Sequence, residues 1–94
     1  MLVGVPKEIK NHEYRVGLTP PSVRELTSRG IDVIVQQGAG EQIGLSDEQY
    51  MAAGASMADT AQEVFARADM IVKVKEPQPA ECAMLREGQL LYTY

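Results

Sequence analysis

Short, continuously apolar runs alternate along this chain with longer stretches of mixed polarity, and the alternation predicts strands and helices in turn. Leu2 to Val5 predicts a first strand, closed by Pro6, which has no N–H to give a sheet neighbour. Lys7 to Leu18 is polar and loop-like, and it holds His12 and Arg15. Thr19 suits an N-cap, with Pro20 at the first helical position. Val23 and Leu26 then share one helix face, and Gly30 stands where a helix-ending glycine belongs. Ile31 to Val35 predicts a second strand. Its Val33-Ile34-Val35 run is unbroken and β-branched, the pattern of a strand buried on both faces in a parallel sheet.

Gly38 and Gly40 mark the next loop. Ser46 with Gln49 has capping-box spacing, and Leu45 with Tyr50 suits a hydrophobic staple, so a short helix starts there and ends at Gly54. Ala55 to Met57 predicts a brief third strand. Asp59 with Gln62 has the spacing of a second box, opening a helix through Val64, Phe65 and Ala68. Asp69 to Lys75 predicts a fourth strand ended by Glu76-Pro77, Pro79 to Glu87 a helix followed by Gly88, and Leu90 to Tyr94 a fifth strand. Such alternation implies right-handed crossovers on a parallel sheet, an α/β fold with flanking helices. The chain ends on an apolar strand with no covering helix, the pattern of a truncated unit. The alternative is an edge strand at a natural terminus.

Composition narrows the function. Ninety-four residues, 45% hydrophobic and 23% charged, make one small domain or a piece of a larger one. Thirteen acidic residues against nine Lys plus Arg leave a net charge of −4, which argues against nucleic acid or an anionic membrane as the main partner. A single cysteine, Cys82, and a single histidine, His12, leave no internal disulfide, no multi-cysteine cage and no two-histidine metal site. No apolar run approaches the ~18 residues of a membrane span. The uncharged opening, Met1 to Pro6, is too short for a signal peptide. The expectation is a soluble, cytoplasmic chain.

In open parallel sheets, ligands bind beyond the carboxyl ends of the strands. Two cations fall there: Arg15 in the loop after the first strand, and Lys75 at the end of the fourth. A guanidinium fork plus a mobile ammonium suits a small carboxylate with a second polar oxygen. The alternative is two solvated surface cations paired with Glu8, Glu13 or Glu76. Gly38-Ala39-Gly40, with Asp59 downstream, imitates a dinucleotide fingerprint. It is rejected because Ile43 stands at the third glycine position, Gly44 is one residue late, and the next helix opens only at Ser46. His12 reads as a solvent-exposed loop residue, and Cys82 as filler or an inert thiol. Met51, Met57, Met70 and Met84 read as packing.

The opening Gly4-Val5-Pro6-Lys7-Glu8, with Asn11-His12-Glu13-Tyr14-Arg15-Val16-Gly17-Leu18-Thr19-Pro20, resembles the N-terminal signature of the alanine dehydrogenase and pyridine nucleotide transhydrogenase family. Gly38-Ala39-Gly40, the stretch from Ser46-Asp47 to Ala53-Gly54-Ala55, and Ala68 to Pro77 are similar too. Leu85 to Tyr94 looks like the alanine dehydrogenase branch. The resemblance spans essentially the whole chain. It implies that residues 1–94 are the N-terminal part of a Rossmann-like substrate domain, with the NAD-binding domain outside them. It further implies NAD-dependent oxidation of L-alanine to pyruvate and ammonia, and a homo-oligomer, typically a hexamer. In that family pattern Arg15 and Lys75 bind the substrate. A catalytic histidine would follow just after Tyr94 and a catalytic aspartate much later, so the 94 residues alone would be inactive. They would hold no catalytic, cofactor or metal residue of their own. The family often has histidine where this chain has Ile31. The alternative within the resemblance is the NAD-binding alpha subunit of a proton-translocating transhydrogenase. An alternative of another class is a free-standing anion-binding module.

Overall fold

The computed structural model describes all 94 residues, Met1–Tyr94. Five strands, β1 (Leu2–Val5), β2 (Asp32–Gln36), β3 (Ser56–Ala58), β4 (Met70–Lys73) and β5 (Leu90–Thr93), form one parallel sheet in the order β3-β2-β1-β4-β5. Four helices alternate with them: α1 (Pro20–Ser28), α2 (Asp47–Ala52), α3 (Ala61–Arg67) and α4 (Pro79–Cys82). The parallel α/β class read from the sequence is the class observed. The sequence-predicted second and third strands lie one residue further along. No helix is long and apolar enough to cross a membrane.

Each central strand sends alternate side chains to two separate cores. Val3, Val5, Val33, Val35 and Val72 join Val23 of α1 and Tyr50 and Ala53 of the α2 end on one face. Ile34 and Ile71 join Val64, Phe65 and Ala68 from α3 on the other. Gly4 of β1 faces this second core: a Cβ there would stand 2.6 Å from the Ala68 Cβ, so α3 sits this close only over a glycine. The short helices are closed by their own chemistry. Gly30, at a φ of 82°, donates to the Thr27 carbonyl while Ile31 donates to that of Leu26, a Schellman end that a β-carbon would strain. The box at Ser46 is formed: Gln49 N donates to Ser46 Oγ at 3.3 Å and Ser46 N to Gln49 Oε1 at 2.7 Å.

Three expectations are corrected. Asp59 does not cap α3; Thr60 does, its Oγ1 accepting from Glu63 N at 3.2 Å, and the helix starts at Ala61. The helix expected from Pro79 to Glu87 is a single turn. Beyond it the chain is drawn onto the end of α3, where Arg86 Nη2 donates to the Ala68 carbonyl at 2.6 Å and Gln89 Nε2 to those of Phe65 and Ala68 at 2.7 and 2.8 Å. Those tertiary bonds outweigh a few residues of helix propensity. The fourth strand stops at Lys73, leaving Lys75 two residues past its end. Among the methionines, Met57, Met70 and Met84 pack against the cores, whereas Met51 is exposed.

Candidate functional site

Because β1 and β4 are parallel neighbours, the loops after them leave the same edge of the sheet side by side. Arg15 lies in the first loop and Lys75 in the second. The Arg15 loop is pinned immediately after that residue. Val16 is buried, and Gly17 lies flat on β4: a Cβ there would stand 2.4 Å from the Val72 carbonyl oxygen. Tyr50 Oη donates to the Leu18 carbonyl at 2.7 Å, and Tyr94 Oη donates to that of Gly17. Burial, with the negative charge of Asp47 behind it, pushes the Tyr50 phenol up to about 12, so it stays a donor throughout the neutral range.

Arg15 projects into solvent, its side chain 64% exposed, and is gripped from one side by Glu13, whose side chain is 6% exposed. Nε donates to Glu13 Oε2 at 3.0 Å, Nη2 to Oε1 at 2.9 Å, and the Arg15 backbone N–H to Oε2 at 2.9 Å. The Arg15 side-chain bonds first, then its backbone N–H, hold the Glu13 carboxyl down at about 2. The positive charge of Lys75 acts weakly in the same direction on Glu13, and on Glu76 as well. Glu13 in turn raises the Arg15 guanidinium, which remains charged at every accessible pH. The pair uses Nε and one Nη2 proton of the fork; the Nη1 edge is left for another carboxylate.

Two residues before Lys75 lies a second cluster of opposite character. Lys73 is fully buried, held by Glu8 Oε1 at 2.8 Å and Glu81 Oε1 at 3.4 Å. Its Nζ also donates to the Lys75 carbonyl at 3.0 Å. Glu8 Oε2 accepts from Val74 N at 2.9 Å and Oε1 from Lys75 N at 3.3 Å. Glu81 Oε1 caps α4 through Gln78 N at 2.9 Å, while its buried Oε2 has no partner. A third tie joins the same loops further out, an ion pair between Lys10 and Glu76 that keeps the Glu76 carboxyl below its usual range.

The surface-cation alternative therefore describes Arg15 in part, since Glu13 is its partner, but not Lys75, whose ammonium makes no ion pair. The buried cluster is what the sequence reading missed. Its signal was present: Lys73 interrupts the apolar run Met70 to Val74, and a lysine inside a doubly covered strand requires a buried anion. The decoy glycines do not fit a dinucleotide. Gly38 N–H is taken by Asp47 Oδ1 at 2.9 Å, and Gly40 is small because Leu45 Cβ would lie 2.7 Å from any Cβ there. His12 is exposed at a φ of 62°, its Nδ1 3.3 Å from Tyr14 Oη, and Cys82 is exposed. No set of three His, Cys, Asp or Glu is arranged around a metal ion; Glu8 and Glu81 converge on an ammonium instead.

Known proteins share both sequence and geometry with this chain. It is 53% identical over its full length to an alanine dehydrogenase of Mycolicibacterium smegmatis and 55% identical to one of Halomonas elongata, covering 25% of each. The chain thus spans about a quarter of the length of the curated relatives it matches. Among solved structures, an L-alanine dehydrogenase superposes with a TM-score of 0.96 at 49% identity, over the whole of this chain and 26% of that one. A transhydrogenase from Sinorhizobium meliloti superposes with a TM-score of 0.91 at 35% identity, over 99% of this chain and 26% of that one. Residues 4–94 match the family described as alanine dehydrogenase/PNT, N-terminal domain, and the chain belongs to that family.

Proposed function

We propose that these 94 residues are the N-terminal part of the substrate domain of an NAD-dependent L-alanine dehydrogenase, with Arg15 and Lys75 as its substrate-binding pair. The observation that supports this reading is that Arg15 and Lys75 lie in the two loops that leave the carboxyl edge of the neighbouring parallel strands β1 and β4. Arg15 clamps the alanine or pyruvate carboxylate through its open Nη1 edge while Glu13 keeps the guanidinium oriented. Lys75, unpaired and on a flexible stem, reaches the keto oxygen or the edge of the carboxylate and stabilises the negative charge that develops there. The nicotinamide cofactor is held by chain outside these residues, as are the groups that move protons. On the same resemblance the enzyme is a cytoplasmic homo-oligomer, a hexamer when intact, and the 94 residues alone do not turn over. The transhydrogenase reading has weaker support: that structure is 35% identical to this chain, against 49% for the alanine dehydrogenase structure.

The test is kinetic, in the full-length enzyme. Arg15→Lys keeps the charge and removes the fork, so kcat/KM for alanine falls about ten- to a hundredfold, the equivalent of one lost charged hydrogen bond. Lys75→Ala lowers kcat heavily and leaves NADH affinity, read by fluorescence titration, nearly unchanged. Near-normal kinetics in Arg15→Lys would remove Arg15 from the site. A matching loss of NADH binding in Lys75→Ala would move Lys75 out of the substrate pocket.

A further inference from the structure

We propose that Glu8 and Lys73 are positioning residues for Lys75: the buried ion pair replaces the missing sheet ladder beyond β4 and fixes the backbone from which the substrate-facing ammonium projects. This rests on the assignment of Lys75 to the substrate site.

The geometry begins with a divergence. β1 pairs with β4 as far as Gly4 opposite Ile71, and on the other side Lys73 is paired with Thr93. After Val5, Pro6 offers no N–H, and Lys7 N turns to Gln36 Oε1 of β2 at 2.8 Å. The backbone of β1 therefore supplies nothing to Val74 and Lys75. The Glu8 side chain supplies it instead, one oxygen to Val74 N at 2.9 Å and the other to Lys75 N at 3.3 Å. The Lys75 carbonyl accepts from Lys73 Nζ at 3.0 Å. Both sides of Lys75 are thus fixed by side chains that are themselves fully or nearly buried, at 0% for Lys73 and 1% for Glu8.

The chemistry of the pair explains why a side-chain clamp is used. A lysine ammonium on four methylenes places its charge only as well as its backbone is placed. The bend at Val74–Lys75 is outside any ladder, so an unclamped bend would let the Lys75 Cα drift. A drift of an ångström at a reacting group can cost about a hundredfold in rate. The clamp also couples the two halves of the site, since Glu8 begins the loop that carries Arg15. Burial makes it rigid: Glu8 and Lys73 cannot separate without leaving a charge unpaired in the interior.

The test is a double-mutant cycle in the full-length enzyme, with Glu8→Gln and Lys75→Ala made singly and together. Glutamine has one acceptor oxygen, so it cannot serve both N–H groups and the ammonium. Glu8→Gln in the Lys75 enzyme lowers kcat/KM for pyruvate reduction about ten- to a hundredfold, with NADH affinity unchanged. In the Lys75→Ala background the same change costs less than about twofold, because the group it positions is gone. Glu8→Asp keeps the charge and recovers part of the loss. An equal factor in both backgrounds, or no loss in the Lys75 enzyme, overturns the positioning role and leaves the substrate site standing. Full activity in Lys75→Ala overturns the substrate reading itself, and the positioning role with it. Loss of folded enzyme in both Glu8→Gln and Glu8→Asp assigns the pair to stability alone and overturns the proposal too.

Discussion

Two of the cation–carboxylate sites in this molecule, Glu13–Arg15 and Glu8–Lys73, are built in opposite ways. Glu13 and Arg15 are neighbours in one loop, with the guanidinium in solvent. Glu8 and Lys73 are 65 residues apart in sequence and meet in the interior, with Glu81 completing the cluster. Water reaches the guanidinium of the first pair and neither member of the second. The first can therefore open an edge to a ligand without a folding cost, and the second cannot open at all. The contrast teaches that a charged residue at the sheet edge is available for binding only when its desolvation has not already been committed to the fold. Lys73 and Lys75, two residues apart, fall on opposite sides of that line.

Three changes break or sharpen the contrast. The largest effect belongs to the interior. Lys73→Met leaves Glu8 and Glu81 buried with no counter-charge and destabilises the protein by about 3–5 kcal/mol, measured as a drop in the urea midpoint. A midpoint equal to that of the unaltered protein would show that the cluster is solvated.

Tyr50→Phe comes next. It strips the Leu18 carbonyl of its donor and costs about 1 kcal/mol near neutrality. The phenol is raised in the fold to about 12 from a reference value of 10.0, so its stabilisation is complete below pH 10 and is lost as pH rises towards 12. The stability gap between the unaltered protein and Tyr50→Phe should shrink over that window. A gap that holds constant to pH 12 would contradict the buried phenol.

The smallest stability effect is expected at the pair whose guanidinium lies in solvent, and it runs in the acid direction. Glu13 is lowered from a reference value of 4.5 to about 2, so its contribution is present above pH 4.5 and disappears as pH falls through about 2. Glu13→Gln should therefore have a small stability defect at pH 7 that shrinks below pH 4.5, is largely lost as pH falls through about 2, and is reduced by salt. The same substitution frees the Nε side of Arg15. If Arg15 binds the substrate as proposed, Glu13→Gln in the full-length enzyme should raise KM for pyruvate more than it lowers kcat, since it would loosen the clamp without removing it. A defect independent of both pH and salt would mean that Glu13 packs and does not pair.

Much of this was legible in the residues. Capping at Ser46, the proline start of α1 and the glycine end at Gly30 are local events, decided by side chains within a turn of the backbone they satisfy. The β-branched run Val33 to Val35 declared a doubly covered parallel strand. Arg15 and Lys75 could be placed at the sheet edge because loop positions follow from strand ends. Asp59 and Thr60 are not separable by pattern alone, because either residue type can cap and each stands three residues before a Gln or Glu; in the fold it is Thr60 whose side chain accepts the helix N–H.

The sequence by itself determined the order of strands and helices, the parallel class and the family to which the chain belongs. Only the tertiary structure decided that β1 sits between β2 and β4, and from that neighbourhood the rest follows. Once β1 and β4 are adjacent, Glu8 reaches the end of β4, Lys73 is neutralised in the interior, and Lys75 is left with a held backbone and a free charge. Hydrophobic period and capping act over a few residues and are written in order along the chain. Desolvation and ion pairing depend on which strands become neighbours, and residues 65 apart carry no local mark of the partner they will meet.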